Sequence, residues 1–380
     1  MTEAGERPLR LFMTADAVGG VWHYAATLAE QFARARAPFR AEIILAVLGP
    51  RPSPIQREQL AQLGNLQFFW GDFPLEWMPA STEEIARSGR WLLDLAAAWR
   101  PDIVHLNGYA HAALSWPAPV LVVGHSCVLS WWHAVHNAPP PAKWAEYERH
   151  VRRGLHSALC VVAPTAAMLR ALAHHYGPLR DGRVIANGCA LERFRARAKE
   201  DFIFAAGRFW DEGKNLAALD RAAGDLEWPV NVAGDCRHPD GSLREPKNAR
   251  TLGPLAATEI FDWMARAAIY AFPARYEPFG LSVLEAAASG CCLVLGDIPT
   301  LRESWEGAAL FVPPEDSDGL AKAIATLIAD GDRRAALAAA AHRRARNFSA
   351  ARMATRYAEL YRELLARDRA PFAAALAAGH

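Results

Sequence analysis

Short, continuous apolar runs alternate with amphipathic helical patterns along the whole chain, and this alternation constrains the fold most strongly. In the first half, these runs predict strands at 9–15, 41–49, 102–108, 119–125, 158–164 and 183–188. In the second half, they predict strands at 201–207, 229–234, 250–255, 268–274, 291–296 and 308–314. Strands that are apolar throughout are buried on both faces, as in parallel sheets covered by helices. The sequence therefore predicts an α/β fold with two doubly wound, Rossmann-like parallel sheets that face each other across a cleft.

The chain has 380 residues, which exceeds the size at which one hydrophobic core usually keeps growing. A polar segment at 190–200 separates the two series of strands and is typical of a linker. We therefore expect an N-terminal Rossmann-like domain at 1–189 and a second one at 190–348. The remaining segment, 349–380, begins with a helical pattern.

Composition and charge exclude several classes of function. The formal net charge is +1, so no overall field favours nucleic acid or an anionic membrane. The six cysteines form neither a CxxC motif nor a cysteine–histidine cluster with zinc spacing, so we expect a reducing, cytoplasmic setting and no bound metal. The chain shows no signal peptide and no run of about 20 apolar residues. The segment 142–156 mixes basic and aromatic residues, as a helix at a membrane surface can. We prefer to interpret it as a solvated helix face, with a weak membrane contact as the alternative.

The first loop of interest contains Gly19 and Gly20, between the first predicted strand and the helix that follows it. Ligands of open α/β sheets bind beyond the carboxyl ends of the strands, where this loop lies. Adjacent glycines allow a close backbone approach, and a helix N-terminus offers free N–H groups to an anion. A plain strand-to-helix turn explains the pair equally well. The loop is not a GxGxxG motif, which argues against a dehydrogenase.

Two further loops follow strands of the second half. In "GRFWDEGKN", Arg208 and Lys214 are candidates for a diphosphate clamp, although two solvated surface charges are the alternative. In "RYEPFGLSVLE", Pro278 keeps Glu277 out of the helix that starts near Leu281, so the carboxylate projects from an extended segment. Glu285 lies about one turn into that helix. The two carboxylates are suited to accepting hydrogen bonds from sugar hydroxyls. A paired acid and base is the alternative, but no separation between the two groups can be read from the sequence.

Two histidines end apolar runs of the first half, His105 in "DIVHLNG" and His125 in "VVGHSC". A lone histidine is more often structural than functional, but both are expected at strand ends that face the cleft. The turn around His125 makes it the preferred candidate.

Together these loops resemble the nucleotide-sugar-dependent glycosyltransferases of GT-B fold, specifically the retaining family 4, also called group 1. The resemblance runs through most of the chain and is strongest from 202 to 329. Its most specific parts are "RYEPFGLSVLEAAASGCCLVLGDIPTLRE" and "AALFVPPEDSDGLAKAI", with "GRFWDEGKN" and "VIANGCALERF" less specific. Glycogen and starch synthases carry a lysine just before their double glycine, whereas this chain has Ala17 and Val18, which argues against glycogen synthesis.

The resemblance implies a role for each matching residue. Arg208 and Lys214 would bind the donor diphosphate, and Gly19 or Gly20 would let the first loop approach it. Glu277, with the amides of Phe279, Gly280 and Leu281, would hold the transferred sugar. Glu285 would bind the ribose, and His125 would contact the donor sugar and assist catalysis.

The resemblance also implies a hexosyltransferase that retains the anomeric configuration, needs no metal or cofactor, and uses a UDP- or GDP-sugar as its donor. Its acceptor would be a sugar or another small molecule, and its last helix, at 349–365, would return to the first domain. Two alternatives stay open. One is a GT-B-fold sugar-nucleotide epimerase, and the other is a non-catalytic sugar-nucleotide-binding subunit. Retention of Arg208, Lys214, Glu277 and Glu285 argues against the second.

Overall fold

The computed structural model describes residues 7–34, 40–78, 82–237 and 241–378, with side chains of the last helix described up to residue 368. Its first half contains one sheet of seven strands in the order β3-β2-β1-β4-β5-β6-β7, all parallel. The strands are β1 (Leu9–Asp16), β2 (Ala41–Leu48), β3 (Leu66–Gly71), β4 (Ile103–Leu106), β5 (Val120–Val123), β6 (Cys160–Ala163) and β7 (Gly182–Val184). The helices are α1 (Gly20–Ala33), α2 (Pro54–Ala61), α3 (Thr82–Trp99), α4 (Val128–His136), α5 (Ala145–Ser157) and α6 (Ala166–Tyr176).

The second half contains a six-stranded parallel sheet in the order β10-β9-β8-β11-β12-β13. Its strands are β8 (Glu200–Ala206), β9 (Val230–Ala233), β10 (Arg250–Gly253), β11 (Ala267–Phe272), β12 (Cys292–Gly296) and β13 (Leu310–Val312). The helices are α7 (Leu216–Ala223), α8 (Ala257–Arg266), α9 (Leu281–Ala288), α10 (Pro299–Trp305), α11 (Ser317–Ala329), α12 (Gly331–Ala345) and α13 (Ala350–Ala378). The predicted fold class, two doubly wound parallel sheets, is confirmed.

The inner strands of both sheets are buried on both faces along most of their length, which is why they are largely apolar. On β1, Leu11 and Met13 pack against α1, whereas Phe12 packs in the opposite core together with Leu92 of α3. All four side chains are 0% exposed. Successive residues of a strand point to opposite faces, so a continuous apolar run is buried only in a sheet that is covered on both sides. Such sheets are typically parallel, as both sheets are here.

The sequence-based prediction omitted helix α10 and two weakly apolar elements, β3 and α12. Strand β3 lies at the edge of the first sheet and alternates partly buried with exposed side chains, so it lacks the continuous apolar run of its neighbours. Helix α12 is rich in alanine and arginine, and only Ala341 and Ala345 on it are buried. Neither element carries the strong apolar signal on which the prediction relied.

Helix α13 packs on the first half of the chain. Tyr357, Tyr361 and Leu364 are buried in the same core as Leu11 of β1. The outgoing and returning segments pair where they cross, because the amide of Ala350 donates to the carbonyl of Cys189 (2.8 Å). A Cβ atom at Gly188 would lie 2.5 Å from the carbonyl oxygen of Ser349, so this crossing requires glycine.

Within the described residues, no helix is both long and apolar enough to span a bilayer. The cytoplasmic setting expected from the sequence stays a prediction.

Candidate active site

The strand order reverses between β1 and β4 in the first sheet and between β8 and β11 in the second. Loops that leave the carboxyl ends of strands at such switch points form the ligand crevice of open α/β sheets. The loops singled out in the sequence follow β1, β5, β8 and β11. They therefore meet at one cleft between the two halves, and the contacts below show how closely.

The loop after β1 contacts the loop after β8. Gly19 has φ of 94°, a conformation that favours glycine, and a Cβ atom there would lie 3.1 Å from Arg208 Nη1. The same Nη1 atom donates a hydrogen bond to the carbonyl oxygen of Val18 (3.2 Å). A Cβ atom at Gly20 would lie 3.8 Å from Leu281 Cδ1, at the start of α9. The structure therefore brings the double glycine of the first half against two predicted donor-binding residues of the second.

Lys214 and Glu277 form an ion pair at the floor of the cleft. Lys214 Nζ donates to Glu277 Oε2 at 2.8 Å, and only 11% and 16% of the two side chains are exposed. The sequence placed these residues in one site but assigned one to phosphate and the other to sugar. Their direct contact is a finding of the structure.

The other oxygen of Glu277 accepts hydrogen bonds from two amides that the resemblance had assigned to the sugar. Oε1 accepts from the amide of Gly280 (2.9 Å) and from that of Phe279 (3.3 Å). Burial acts to raise the pKa of Glu277, but the charge of Lys214 and these two amides outweigh it, so the pKa lies below its usual range. Glu277 is therefore ionised and held in a fixed orientation.

Glu285 lies one helical turn beyond Leu281 and has a different environment. Burial raises its pKa to about 7. Its carboxylate has no hydrogen-bonding or ion-pairing partner in the part of the chain that the structure describes. A half-buried carboxyl group without a protein partner, one turn from the start of α9, is suited to accept hydrogen bonds from ligand hydroxyls.

His125 follows β5, and its loop contacts the loop that carries Glu277. Ser126 Oγ donates to the hydroxyl of Tyr276 (3.2 Å), and the amide of Cys127 donates to the same oxygen (3.1 Å). The ring of Tyr24 lies edge-on to His125, with 4.5 Å between the centroids. Burial lowers the pKa of His125 to about 3, so the imidazole is neutral near pH 7.

His105, the second histidine of the sequence, lies inside β4 and is fully buried. Its Nε2 lies 3.2 Å from the hydroxyl of Tyr24, and its Nδ1 lies 2.6 Å from the hydroxyl of Tyr361 on α13. These two hydroxyls occupy both ring nitrogens, so His105 joins the first sheet to the returning helix. It does not reach the cleft.

Sequence reasoning missed a small cavity in the first half. It has a volume of about 60 Å³ at the carboxyl ends of β1 and β4, and Asp16, Glu76 and Asn107 are among its lining residues. Burial raises the pKa of Asp16 to about 6 and that of Glu76 to about 7. Glu76 Oε2 accepts hydrogen bonds from the amides of Tyr109 (3.0 Å) and Ala110 (2.8 Å). Isolated acidic residues of this kind leave no pattern in a sequence.

The aromatic segment at 130–141 also touches the second half. Trp131 Nε1 donates to Asp211 Oδ1 at 2.8 Å, and Asp211 Oδ1 also accepts the amide of Gly213 (2.8 Å). Trp131 thus links α4 to the loop that carries Lys214. This contact is packing between the two halves of the chain.

Comparison with known proteins agrees with this arrangement. The family model "Glycosyltransferase Family 4" matches residues 18–193, and "Glycosyl transferases group 1" matches residues 200–330. Glycogen synthase of Mycobacterium tuberculosis is 29% identical over 309 residues, which are 74% of this chain and 72% of that protein. D-inositol 3-phosphate glycosyltransferase of Kineococcus radiotolerans is 34% identical over 149 residues, 35% of this chain and 34% of that protein.

Solved structures show the same fold. Sucrose-phosphate synthase from Thermosynechococcus elongatus aligns with a TM-score of 0.74 at 18% identity, over 95% of this chain and 100% of that one. HepE from Anabaena, in complex with UDP-glucose, aligns with a TM-score of 0.73 at 17% identity, over 93% of this chain and 100% of that one. The architecture is that of a GT-B glycosyltransferase. With both halves matched by family models, the chain belongs to the family 4, or group 1, glycosyltransferases.

Proposed function

We propose that this glycosyltransferase moves a hexose from a nucleotide diphosphate sugar to a sugar or small-molecule acceptor, with retention of configuration and without a metal. The observation that carries the proposal is the meeting of the two halves, where Gly19 and Gly20 approach Arg208 and Leu281. A helix N-terminus from each half and a fixed guanidinium then face the same point. That combination suits a diphosphate, which needs several N–H donors and positive charge.

Lys214 supplies the second positive charge of the diphosphate site. Its present partner is Glu277, so the pair is electrically neutral and leaves the excess positive charge to Arg208 and the helix N-termini. Glu277 already neutralises the buried ammonium group of Lys214 before the donor binds. A bound diphosphate then places further negative charge beside Lys214. Stabilising the leaving diphosphate is the main task of the protein in such a transfer, because negative charge develops there as the glycosidic bond breaks.

The transferred sugar would lie between Glu277 and His125. The hydroxyl of Tyr276 accepts hydrogen bonds from the loop after His125, which brings the two sides of the cleft together at this point. Glu285, one turn along α9, would accept hydrogen bonds from the ribose hydroxyls. The complex of HepE with UDP-glucose supports a uridine nucleotide as the first donor to test.

The acceptor would approach from the cavity of the first half. Asp16 and Glu76 line it, and its one histidine, His111, is held neutral because burial lowers its pKa to about 4. No lysine or arginine is among the described lining residues. The charge of Arg208 acts on Asp16 from outside this lining. Two carboxyl groups in a lining without basic residues of its own favour an uncharged, hydroxylated acceptor over a phosphorylated one. The acceptor hydroxyl would lose its proton to the departing phosphate on the same face, which retains the configuration.

A thermal-shift screen with UDP-, GDP- and ADP-sugars tests the donor first, since a ligand that binds only the folded state raises the melting temperature. Isothermal titration calorimetry then compares wild type with Glu285→Gln. Glu359→Gln is the matched control, because Glu359 is an exposed glutamate on α13. We expect only Glu285→Gln to weaken binding. Equal affinity in all three proteins would overturn the assignment of the ribose site.

Transfer itself is measured as release of nucleotide diphosphate in the presence of a panel of neutral and phosphorylated acceptors. The panel includes maltooligosaccharides, because a glycogen synthase is among the relatives. Proton NMR of the product reports its anomeric configuration, and a parallel reaction with EDTA tests for a metal. A reaction without acceptor tests the epimerase alternative, for which Asp16 and Glu76 are acid–base groups of the required kind. A change of sugar configuration in that reaction would replace the transferase proposal.

A further inference from the structure

We propose that Asn107 is a positioning residue that fixes His125 in the tautomer with its proton on Nε2, so that Nδ1 accepts a hydrogen bond from a sugar hydroxyl. This inference rests on the proposed function, in which His125 faces the transferred sugar. It starts from the residue directly behind the imidazole. His125 Nε2 lies 2.8 Å from Asn107 Oδ1.

The orientation of the Asn107 side chain follows from its other contacts. Its Nδ2 lies 2.7 Å from the carbonyl oxygen of Thr14, and only an N–H group can donate to that oxygen. The backbone amide of Asn107 donates to Thr14 Oγ1 at 2.9 Å, which anchors the residue a second time. The end that faces His125 is therefore the carbonyl oxygen, which accepts a proton but has none to give.

The tautomer of His125 follows directly. A neutral imidazole carries one proton, and an acceptor at 2.8 Å from Nε2 places that proton on Nε2. Nδ1 then carries the lone pair. It has no partner among the described residues and is not one of the fully buried unpaired atoms. The edge-on ring of Tyr24 holds the plane of the imidazole.

The consequence concerns the direction of the hydrogen bond to the substrate. In this tautomer His125 accepts from a sugar hydroxyl and does not donate to a sugar oxygen. Loss of Asn107 would free the ring to exchange tautomers and to rotate, although the sugar pocket would keep its shape. We therefore expect turnover to suffer more than donor binding.

The test measures the tautomer and the kinetics separately. Long-range ¹H–¹⁵N correlation NMR of ligand-free protein, labelled at histidine, reports which ring nitrogen carries the proton. Wild type should show the proton of His125 on Nε2, and Asn107→Ala should show a mixture of tautomers. The signals of His105 are identified with Tyr361→Phe, since the Tyr361 hydroxyl contacts His105 Nδ1. A proton on Nδ1 in wild type would overturn the proposal whatever the enzyme does.

The kinetic arm uses two variants of the same residue. Asn107→Ala should lower kcat by about 10²-fold and change the donor KM much less. Asn107→Asp loses the donor to the Thr14 carbonyl but keeps the backbone anchor to Thr14 and an acceptor at Nε2, so it should retain the tautomer. Its carboxylate favours the imidazolium, so activity should recover as the pH rises. If both variants keep wild-type kcat and pH profiles, Asn107 does not act through His125. Failure of wild type to bind any nucleotide sugar would instead refute the proposed function and leave the NMR result to stand by itself.

Discussion

Replacing Lys214 by methionine should separate the structural role of the Lys214–Glu277 pair from its role in donor binding. Methionine keeps the length and apolar stem of lysine but removes the charge. The variant leaves Glu277 ionised in a site where only 16% of its side chain is exposed. Losing one partner of a buried ion pair typically costs about 3–5 kcal/mol in the free energy of unfolding. The amides of Phe279 and Gly280 remain as partners, so we expect a loss near the lower end, about 3 kcal/mol.

Urea unfolding at pH 7 measures this loss, and Lys322→Met provides the matched control, because Lys322 is exposed on α11. The double variant Lys214→Met/Glu277→Gln removes both charges. It should be less destabilised than the sum of the single variants, with a coupling of roughly 2 kcal/mol. Additive effects would show that the two side chains do not interact as the structure indicates.

The pH dependence gives an independent check with a defined sign. Lys214 depresses the pKa of Glu277, so the stability that the pair contributes is present at pH 7 and is lost only as the pH falls through that depressed value. In Lys214→Met the pKa of the buried carboxyl should rise instead. On acidification, Glu277 of the variant then takes up its proton at a higher pH than Glu277 of wild type. The difference in the free energy of unfolding between variant and wild type should therefore narrow as the pH falls. A difference in the free energy of unfolding that stays constant from pH 7 to pH 4 would refute this reasoning.

Two further predictions concern α9 and α13. Affinity for an intact nucleotide sugar should increase as the pH rises through about 7 in wild type, because Glu285 becomes ionised there, and Glu285→Gln should show no such rise in calorimetry at several pH values. Leu364 is 0% exposed on α13, so Leu364→Ala should lower the free energy of unfolding by about 2–5 kcal/mol. Leu365→Ala, which removes a half-buried side chain, should cost clearly less by urea unfolding.

The sequence predicted the position of the cleft because topology determines which loops meet. Once Arg208, Lys214 and Glu277 were recognised after predicted parallel strands, the carboxyl-edge rule brought them to one side of the second sheet. The rule says nothing about distances, so it did not predict that Lys214 and Glu277 touch. Nor did it predict that the amides of Phe279 and Gly280 bond to Glu277 itself.

The sequence also did not predict which of the two candidate histidines is buried in the core. His105 and His125 both end apolar runs, and the choice between them depends on whether the side chain points into the core or out of the sheet edge. The structure shows that His105 is enclosed by Tyr24 and Tyr361. His105 and Tyr361 are 256 positions apart in the sequence. Asp16 and Asn107 were missed because single polar residues carry no periodic signal.

The contacts around Tyr24 connect the returning helix to the proposed site. Tyr361 of α13 contacts His105 Nδ1, the hydroxyl of Tyr24 contacts His105 Nε2, and the ring of Tyr24 packs edge-on against His125. Without α13, this face of the first sheet would be exposed and His105 Nδ1 would lose the hydroxyl of Tyr361 as its partner. The ring that holds His125 would then lose its own support. The crossing back to the first half therefore stabilises the core and the orientation of His125 through the same side chains.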